Sequence, residues 1–156
     1  MNFTEEKRME IRTMTVDDYK EVYELWSEIK GFGIRTLDDS KEGVEKFLQR
    51  NPGTSVVAKE DGRIIGTILS GHDGRWASFY HVCVAKEYRA KGVGRQMVLE
   101  AVERLKKEGI CKVSLIAFKS NQVGNEFWHD MGFTFREDLN YYDFTINKDN
   151  ATNFIK

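Results

Sequence analysis

Apolar and polar residues alternate along this chain in two different rhythms, and the changes of rhythm divide it into elements. Met9 to Thr13 alternates like a short strand, and Val16 to Lys30 carries Val22, Leu25, Trp26 and Ile29 on one helical stripe behind Thr15, a good N-cap. Gly31-Phe32-Gly33 ends that helix. Asp38, Asp39 or Ser40 then caps a second one through Arg50, with Val44, Phe47 and Leu48 as its apolar face, and Asn51-Pro52-Gly53 stops it. Thr54 to Lys59 and Arg63 to Gly71 are β-branched runs joined by Glu60-Asp61-Gly62, a tight hairpin signal because Asp-Gly accepts positive φ.

A second hairpin turns at Asp73-Gly74 into a strand from Trp76 to Ala85. Gly94 to Glu108 follows as a helix with Met97, Val98, Ala101, Val102 and Leu105 on its core stripe, closed by Gly109. Lys112 to Phe118 reads as a strand and Asn121 to Met131 as a helix stopped by Gly132. Phe133 to Arg136 and Tyr141 to Ile146 read as a last strand pair. The expected order is β-α-α-β-β-β-α-β-α-β-β, an α/β chain with a mixed α+β sheet. It forms a single domain over residues 9–147, between an extension over 1–8 and a polar, frayed tail over 148–156.

The 156 residues suffice for one domain with a sizeable core, and the formal charge of −1 argues against a strongly basic nucleic-acid binder. Met1 to Arg8 is charged where a secretory signal needs an apolar core, and no apolar run reaches membrane-spanning length, so a cytoplasmic protein without membrane contact is expected. Cys83 and Cys111 lack metal-ligand spacing and sit in apolar runs, which predicts buried, reduced thiols and no metal site.

The chemistry concentrates in Arg89-Ala90-Lys91-Gly92-Val93-Gly94-Arg95, where a strand turns into a helix. Glycines allow a tight turn, the helix start presents bare N–H groups with partial positive charge, and Arg89, Lys91 and Arg95 add full charges, so a pyrophosphate is the expected guest. Together with Tyr80-His81-Val82-Cys83-Val84 before it, and Asn121 ahead of Phe127-Trp128-His129-Asp130-Met131-Gly132-Phe133, this stretch resembles the GNAT superfamily of acyl-CoA N-acyltransferases. The element order is similar to the GNAT fold across nearly the whole chain.

That resemblance implies acetyl-CoA as cosubstrate. It implies that the pantetheine arm pairs with the backbone of Val82, Cys83 and Val84, that the turn from Arg89 to Arg95 wraps the pyrophosphate, and that Asn121 contacts the arm while capping its helix. The Val84 N–H is expected to polarise the thioester carbonyl. Many family members carry a tyrosine seven residues after the asparagine to protonate the departing thiolate. Here that position is Trp128, which gives up no proton usefully and is expected to pack over the cofactor channel.

An attacking amine must lose a proton, so an acceptor for it is needed. Strict alternation groups Ser78, Tyr80, Val82 and Val84 on one face and Phe79, His81 and Cys83 on the other. The first face looks toward the acceptor by resemblance, which makes Tyr80 the leading side chain there. His81 has the better chemistry for proton transfer, but alternation makes it a structural histidine unless the strand bulges. Gly31 to Thr36 walls the acceptor pocket by resemblance, with Arg35 either binding a carboxylate or facing solvent.

The expected function is transfer of an acetyl group from acetyl-CoA to a primary amine, on a small molecule or on a protein N-terminus or lysine, by direct attack in a ternary complex. The alternative is a CoA-binding sensor or interaction module that does not turn over. By the same resemblance, a homodimer through the final strands is compatible with either.

Overall fold

The computed structural model describes residues 9–156, so the extension expected over 1–8 lies outside the described residues. Its centre is a five-stranded sheet in the order β1-β3-β4-β5-β6, built from β1 (Met9–Thr13), β3 (Val56–Glu60), β4 (Arg63–His72), β5 (Ala77–Val84) and β6 (Val113–Ser114). The first four pair antiparallel, and β5 and β6 run parallel. Asp61 and Gly62 both take positive φ in the β3–β4 turn, as the Asp-Gly pair predicts.

Helices cover both faces. On one, α1 (Tyr19–Glu28) lays fully buried Trp26 against Thr67 of β4, while α2 (Lys41–Arg50) brings Phe47 and Asn51 over Gly71. On the other, α3 (Val93–Lys107) presses Met97 onto Gly66, where an added Cβ would lie 2.7 Å from the methionine's terminal methyl. Alternation along β4 therefore serves two layers at once, and that is why Arg63–His72 is almost continuously apolar and buried. Gly109 closes α3 at φ +78, with Ile110 N–H reaching back to Leu105 O.

The fold is the expected one, with corrections at its C-terminal side. β6 covers only Val113–Ser114 of the strand expected over Lys112 to Phe118, because the chain leaves β5 beyond Ser114. Cys111, expected in a buried strand, is exposed just before it. The expected last pair, Phe133 to Arg136 with Tyr141 to Ile146, is absent. The tail expected to fray is instead docked: β7 (Thr152–Phe154) pairs antiparallel with β2 (Gly33–Arg35) in the connection between α1 and α2. Asn150 Oδ1 accepts from the N–H groups of Leu37 and Asp38, while Ile155 N–H donates to Phe32 O and Gly31 N–H to Ile155 O. No helix among the described residues is long and apolar enough to cross a membrane.

Asp18 fastens the start of α1 to β1. It receives both guanidinium nitrogens of Arg12, at 2.7 and 2.8 Å, and the Thr15 N–H at 2.9 Å. Burial pushes its carboxyl up, but those hydrogen bonds together pull it below the usual carboxylate range. A depressed folded-state pKa stabilises the fold above the unfolded value, and the stabilisation is lost as pH falls through the folded one. Asp18→Asn is therefore expected to cost about 1–3 kcal/mol at pH 7. Denaturant melts should show the gap between variant and parent closing below about pH 4, and a pH-independent gap would contradict this account.

Candidate active site

The decisive local event is a bulge in β5. Thr67 pairs with Cys83 and Leu69 with Tyr80, so Ile68 alone faces both His81 and Val82. His81 takes up the extra residue at φ +46, a left-handed conformation that costs a non-glycine residue about 1–2 kcal/mol. The carbonyl this exposes is held: Thr67 Oγ1 donates to His81 O at 2.8 Å and itself accepts from Trp26 Nε1 at 3.0 Å. All of Thr67 is buried, so the chain from indole to hydroxyl to carbonyl is shielded from water.

The bulge corrects the strict alternation expected for this strand. Leu69 and Tyr80 are cross-strand partners on the α1/α2 face, and Tyr80 meets Phe47 edge-on at 6.0 Å. His81 turns to the same face, its ring 4.6 Å from that of Trp26 and 5.2 Å from that of Phe32. Cys83 follows it there, 3.4 Å from Thr67 Oγ1. Phe79 faces Trp128 and Phe133 on the other side, and Val84 lies near Gly94.

Asp39 completes the group around His81. Ser40 takes the N-cap of α2, accepting from Gly43 N–H at 3.0 Å, which leaves the neighbouring Asp39 carboxylate free. One oxygen meets His81 Nε2 at 2.9 Å and the other accepts the Arg35 N–H at 2.7 Å. Both oxygens act as acceptors, so Nε2 carries the imidazole proton and the lone pair of the neutral ring sits on Nδ1. Tyr19 donates its hydroxyl to Asp39 O, fixing the backbone as well.

Asp39 also lines a pocket of about 310 Å³ between α1 and the β2–β7 ribbon, together with Tyr19, Tyr23, Ile34, Arg35 and Asn153. Ile34, Arg35 and Thr36 of that lining lie in the Gly31-to-Thr36 connection expected to wall an acceptor. Sequence reading passed over Asp39 as anything but a possible cap, and passed over the strand that carries Asn153. Only the acidic pair before the cap pointed to the former.

On the far side of β5 a cleft opens. Its parallel pairing with β6 stops at Ser78 and Ser114, and the two strands then part. Ala85 N–H donates to Ile65 O, so Val84 stands in the antiparallel pair whose own N–H and C=O point away from β4 and into this cleft. Arg89 Nε takes the Val84 carbonyl at 3.1 Å. Cys83 points into the core instead, and burial pushes its thiol up to about 11, far from a reactive thiolate.

The basic turn lies at the end of the same strand. Ala90 and Gly92 both take positive φ, Gly92 at +82 serving as N-cap of α3 without a side chain. The first helical bond is Gln96 N–H to Gly92 O, which leaves the N–H groups of Val93, Gly94 and Arg95 without helical acceptors. No acidic residue occupies that first turn, and Arg89, Lys91 and Arg95 stand exposed around it. Phe127 of α4 (Gln122–Asp130) approaches Gly94, where a Cβ would meet its ring at 3.4 Å.

Asn121 caps α4, its Oδ1 accepting from Gly124 N–H at 3.0 Å. Trp128 packs among Phe127, Phe133 and Phe79, with ring centres at 4.9, 4.8 and 6.5 Å. Asp73 is a turn residue: the N–H groups of Trp76 and Arg75 hold its carboxyl below the usual range. Thus the Val84 backbone and the basic turn adjoin the gap beside β5, while Tyr80, His81 and Asp39 lie on the α1/α2 face of the same strand. The described residues include no cluster of side chains able to hold a metal ion.

The acetyltransferase (GNAT) family model matches residues 19–133, which span α1, the bulged strand, the basic turn and the aromatic cluster. The chain belongs to the GNAT acetyltransferase family. It is 31% identical to an acetyltransferase of Photorhabdus laumondii over 117 residues, covering 74% of this chain and 79% of the relative. A Sodalis glossinidius acetyltransferase is 29% identical over 115 residues, covering 74% and 80%. Among solved structures, a PaiA N-acetyltransferase of Thermoplasma acidophilum in complex with coenzyme A superposes with a TM-score of 0.68 at 23% identity, over 79% of this chain and 87% of that one. The Escherichia coli ribosomal-protein-S18-alanine N-acetyltransferase gives 0.70 at 17%, over 93% and 88%. At these identities both share the fold of this GNAT chain.

Because Thr67 holds the bulge of the GNAT chain, Thr67→Val should leave the Trp26 N–H and the His81 carbonyl unpaired at a cost of about 1–3 kcal/mol each. Chemical denaturation measures the sum, and a change under 1 kcal/mol would mean that the bulge is held elsewhere.

Proposed function

We propose that the protein transfers an acetyl group from acetyl-CoA to a primary amine by direct attack in a ternary complex, with His81 as the proton acceptor. The observation that carries this reading is the bulge, which turns His81 out of the alternation and sets its Nε2 on a buried carboxylate beside a pocket. Strain of this kind at a titratable side chain is a reason to look for function there.

The chain's own groups suit the cosubstrate. A strand edge with unpaired backbone fits an amide-bearing arm as an added strand would, and the acid-free start of α3 with its glycine at positive φ fits a pyrophosphate. Acetyl-CoA supplies an activated thioester carbonyl. The Val84 N–H, aimed into the cleft, is suited to donate to the carbonyl oxygen as negative charge develops there. Asp39 acts as a positioning residue that fixes the tautomer of His81, and Nδ1 takes the proton from the attacking amine.

A pocket of about 310 Å³ suits one amine-bearing chain end, on a small molecule, a protein N-terminus or a lysine, with Arg35 at its wall. Tyr80 is half exposed against Phe47 and serves better as a wall than as a base. The free cysteines support a reducing, cytoplasmic location.

Trp128 favours a second reading, binding without turnover, since it fills its position with aromatic packing and offers no acid. Two measurements separate the readings. Calorimetry should show acetyl-CoA and dephospho-CoA binding and free pantetheine failing to bind, because only the first two carry the pyrophosphate. Equal binding of all three would remove the basic turn from the site. With an amine substrate in hand, His81→Ala should lower kcat/KM by about 10²–10⁴-fold while leaving acetyl-CoA affinity unchanged. An unaltered rate would refute His81 as the base.

A further inference from the structure

The polar groups around the pocket beside Asp39 divide into those already engaged and those left over. Tyr19 donates its hydroxyl to Asp39 O, Thr36 is tied to the backbone of Asp149 and Ala151, and Ser40 caps α2. The Asp39 carboxylate accepts the Arg35 N–H on one oxygen and meets His81 Nε2 with the other. Left over are the side chains of Tyr23, Asn153 and Arg35, which line the pocket and have no side-chain partner among the described residues. Arg35 joins none of the ion pairs there. Each of these groups can donate a hydrogen bond, and a guanidinium can do nothing else.

The pocket is therefore dipolar. Its anion, Asp39, is 4% exposed and sits at the imidazole, while its cation, Arg35, stands open at the wall. Asp39 also measures the gap between the two ends. The same carboxylate reaches His81 at 2.9 Å and the Arg35 backbone at 2.7 Å, so the Arg35 side chain springs from a point one carboxylate's width from the proton acceptor. Pairing of Ile34 with Asn153 and of Arg35 with Thr152 sets the leftover donors on one ladder. A ligand that satisfies both ends carries an amine and an anion a few atoms apart. A guanidinium fork fits carboxylate and phosphate alike, but a phosphomonoester brings nearly two negative charges against this single cation, and a carboxylate brings one.

We propose that the acceptor is a free amino acid, its carboxylate held by Arg35 with Asn153 and Tyr23, and its amine turned to His81. The inference rests on the acetyl-transfer reading and narrows it. A protein N-terminus carries an amide where a free amino acid carries a carboxylate, and would leave the guanidinium unpaired. As the neutral amine attacks, its nitrogen bonds to the acetyl carbon, the thioester C–S bond breaks, one amine proton passes to His81 Nδ1 and CoA departs as the thiolate. The product keeps its carboxylate but has no amine left to protonate, so it loses the end that Asp39 attracts.

The test follows thiol release from acetyl-CoA with matched pairs of acceptors. Each standard amino acid, with β-alanine and 4-aminobutyrate, is set beside its carboxamide, and phosphoethanolamine and a short peptide amide complete the panel. The best acid should exceed its amide by about 10–100-fold in kcat/KM. Arg35→Gln should bring that ratio close to one, mainly through KM, and Arg35→Lys should recover part of it. Acetyl-CoA affinity, read at the gap beside β5, should be retained in both variants and shows that they are folded. Amides used as well as acids, a ratio untouched by Arg35→Gln, or a preference for phosphoethanolamine or the peptide overturns the inference and leaves acetyl transfer standing. If no amine releases thiol, calorimetric titration of the acids into CoA-loaded protein decides. Binding that Arg35→Gln abolishes keeps the carboxylate site and removes transfer, and absence of binding removes both.

Discussion

One hydroxyl organises this molecule. Thr67 joins the indole of α1 to the carbonyl of the bulged residue in β5, and through it the helix layer, the central strand and the site strand are held in one register. Without the bulge, His81 would share a face with Phe79 and lie among the aromatic rings of α4. With it, imidazole and carboxylate meet beneath α1 while Val84 still presents its backbone to the cleft on the other side. A single extra residue thus allows one strand to serve two adjoining compartments.

The division between what sequence showed and what it hid follows range of interaction. Helix stripes, the Asp-Gly hairpin and the glycine turn depend on neighbours a few residues away, and these were legible, as was the family through the turn and its flanking strand. The bulge was not. Period-2 alternation assumes one residue opposite one, and nothing in Tyr80-His81-Val82 announces that Ile68 will face two. Asp39 was hidden for a related reason, since three capping residues stood in a row and only the fold reveals that Ser40 caps.

The C-terminal side failed in the opposite direction. Tyr141 to Ile146 has a strand's pattern, yet a pattern specifies a strand only when a neighbour completes the ladder, and within one chain none does. Thr152–Phe154 has too few residues to show any period, yet it is a strand because Gly33–Arg35 lies waiting for it. Local preference describes what a segment tolerates, and pairing decides what it becomes.

The ribbon of β2 and β7 brings residues far apart in the sequence into one wall, with Thr36 bonded to Ala151 and Asn153 lining the same pocket as Tyr23. The ribbon is held by contacts such as that of Leu37 with Asn150, 113 residues away along the chain. A pocket wall closed by so long a loop carries more closure entropy than the turn at the start of α3, whose contacts are local, so it is the part of the molecule that opens first when the fold loosens.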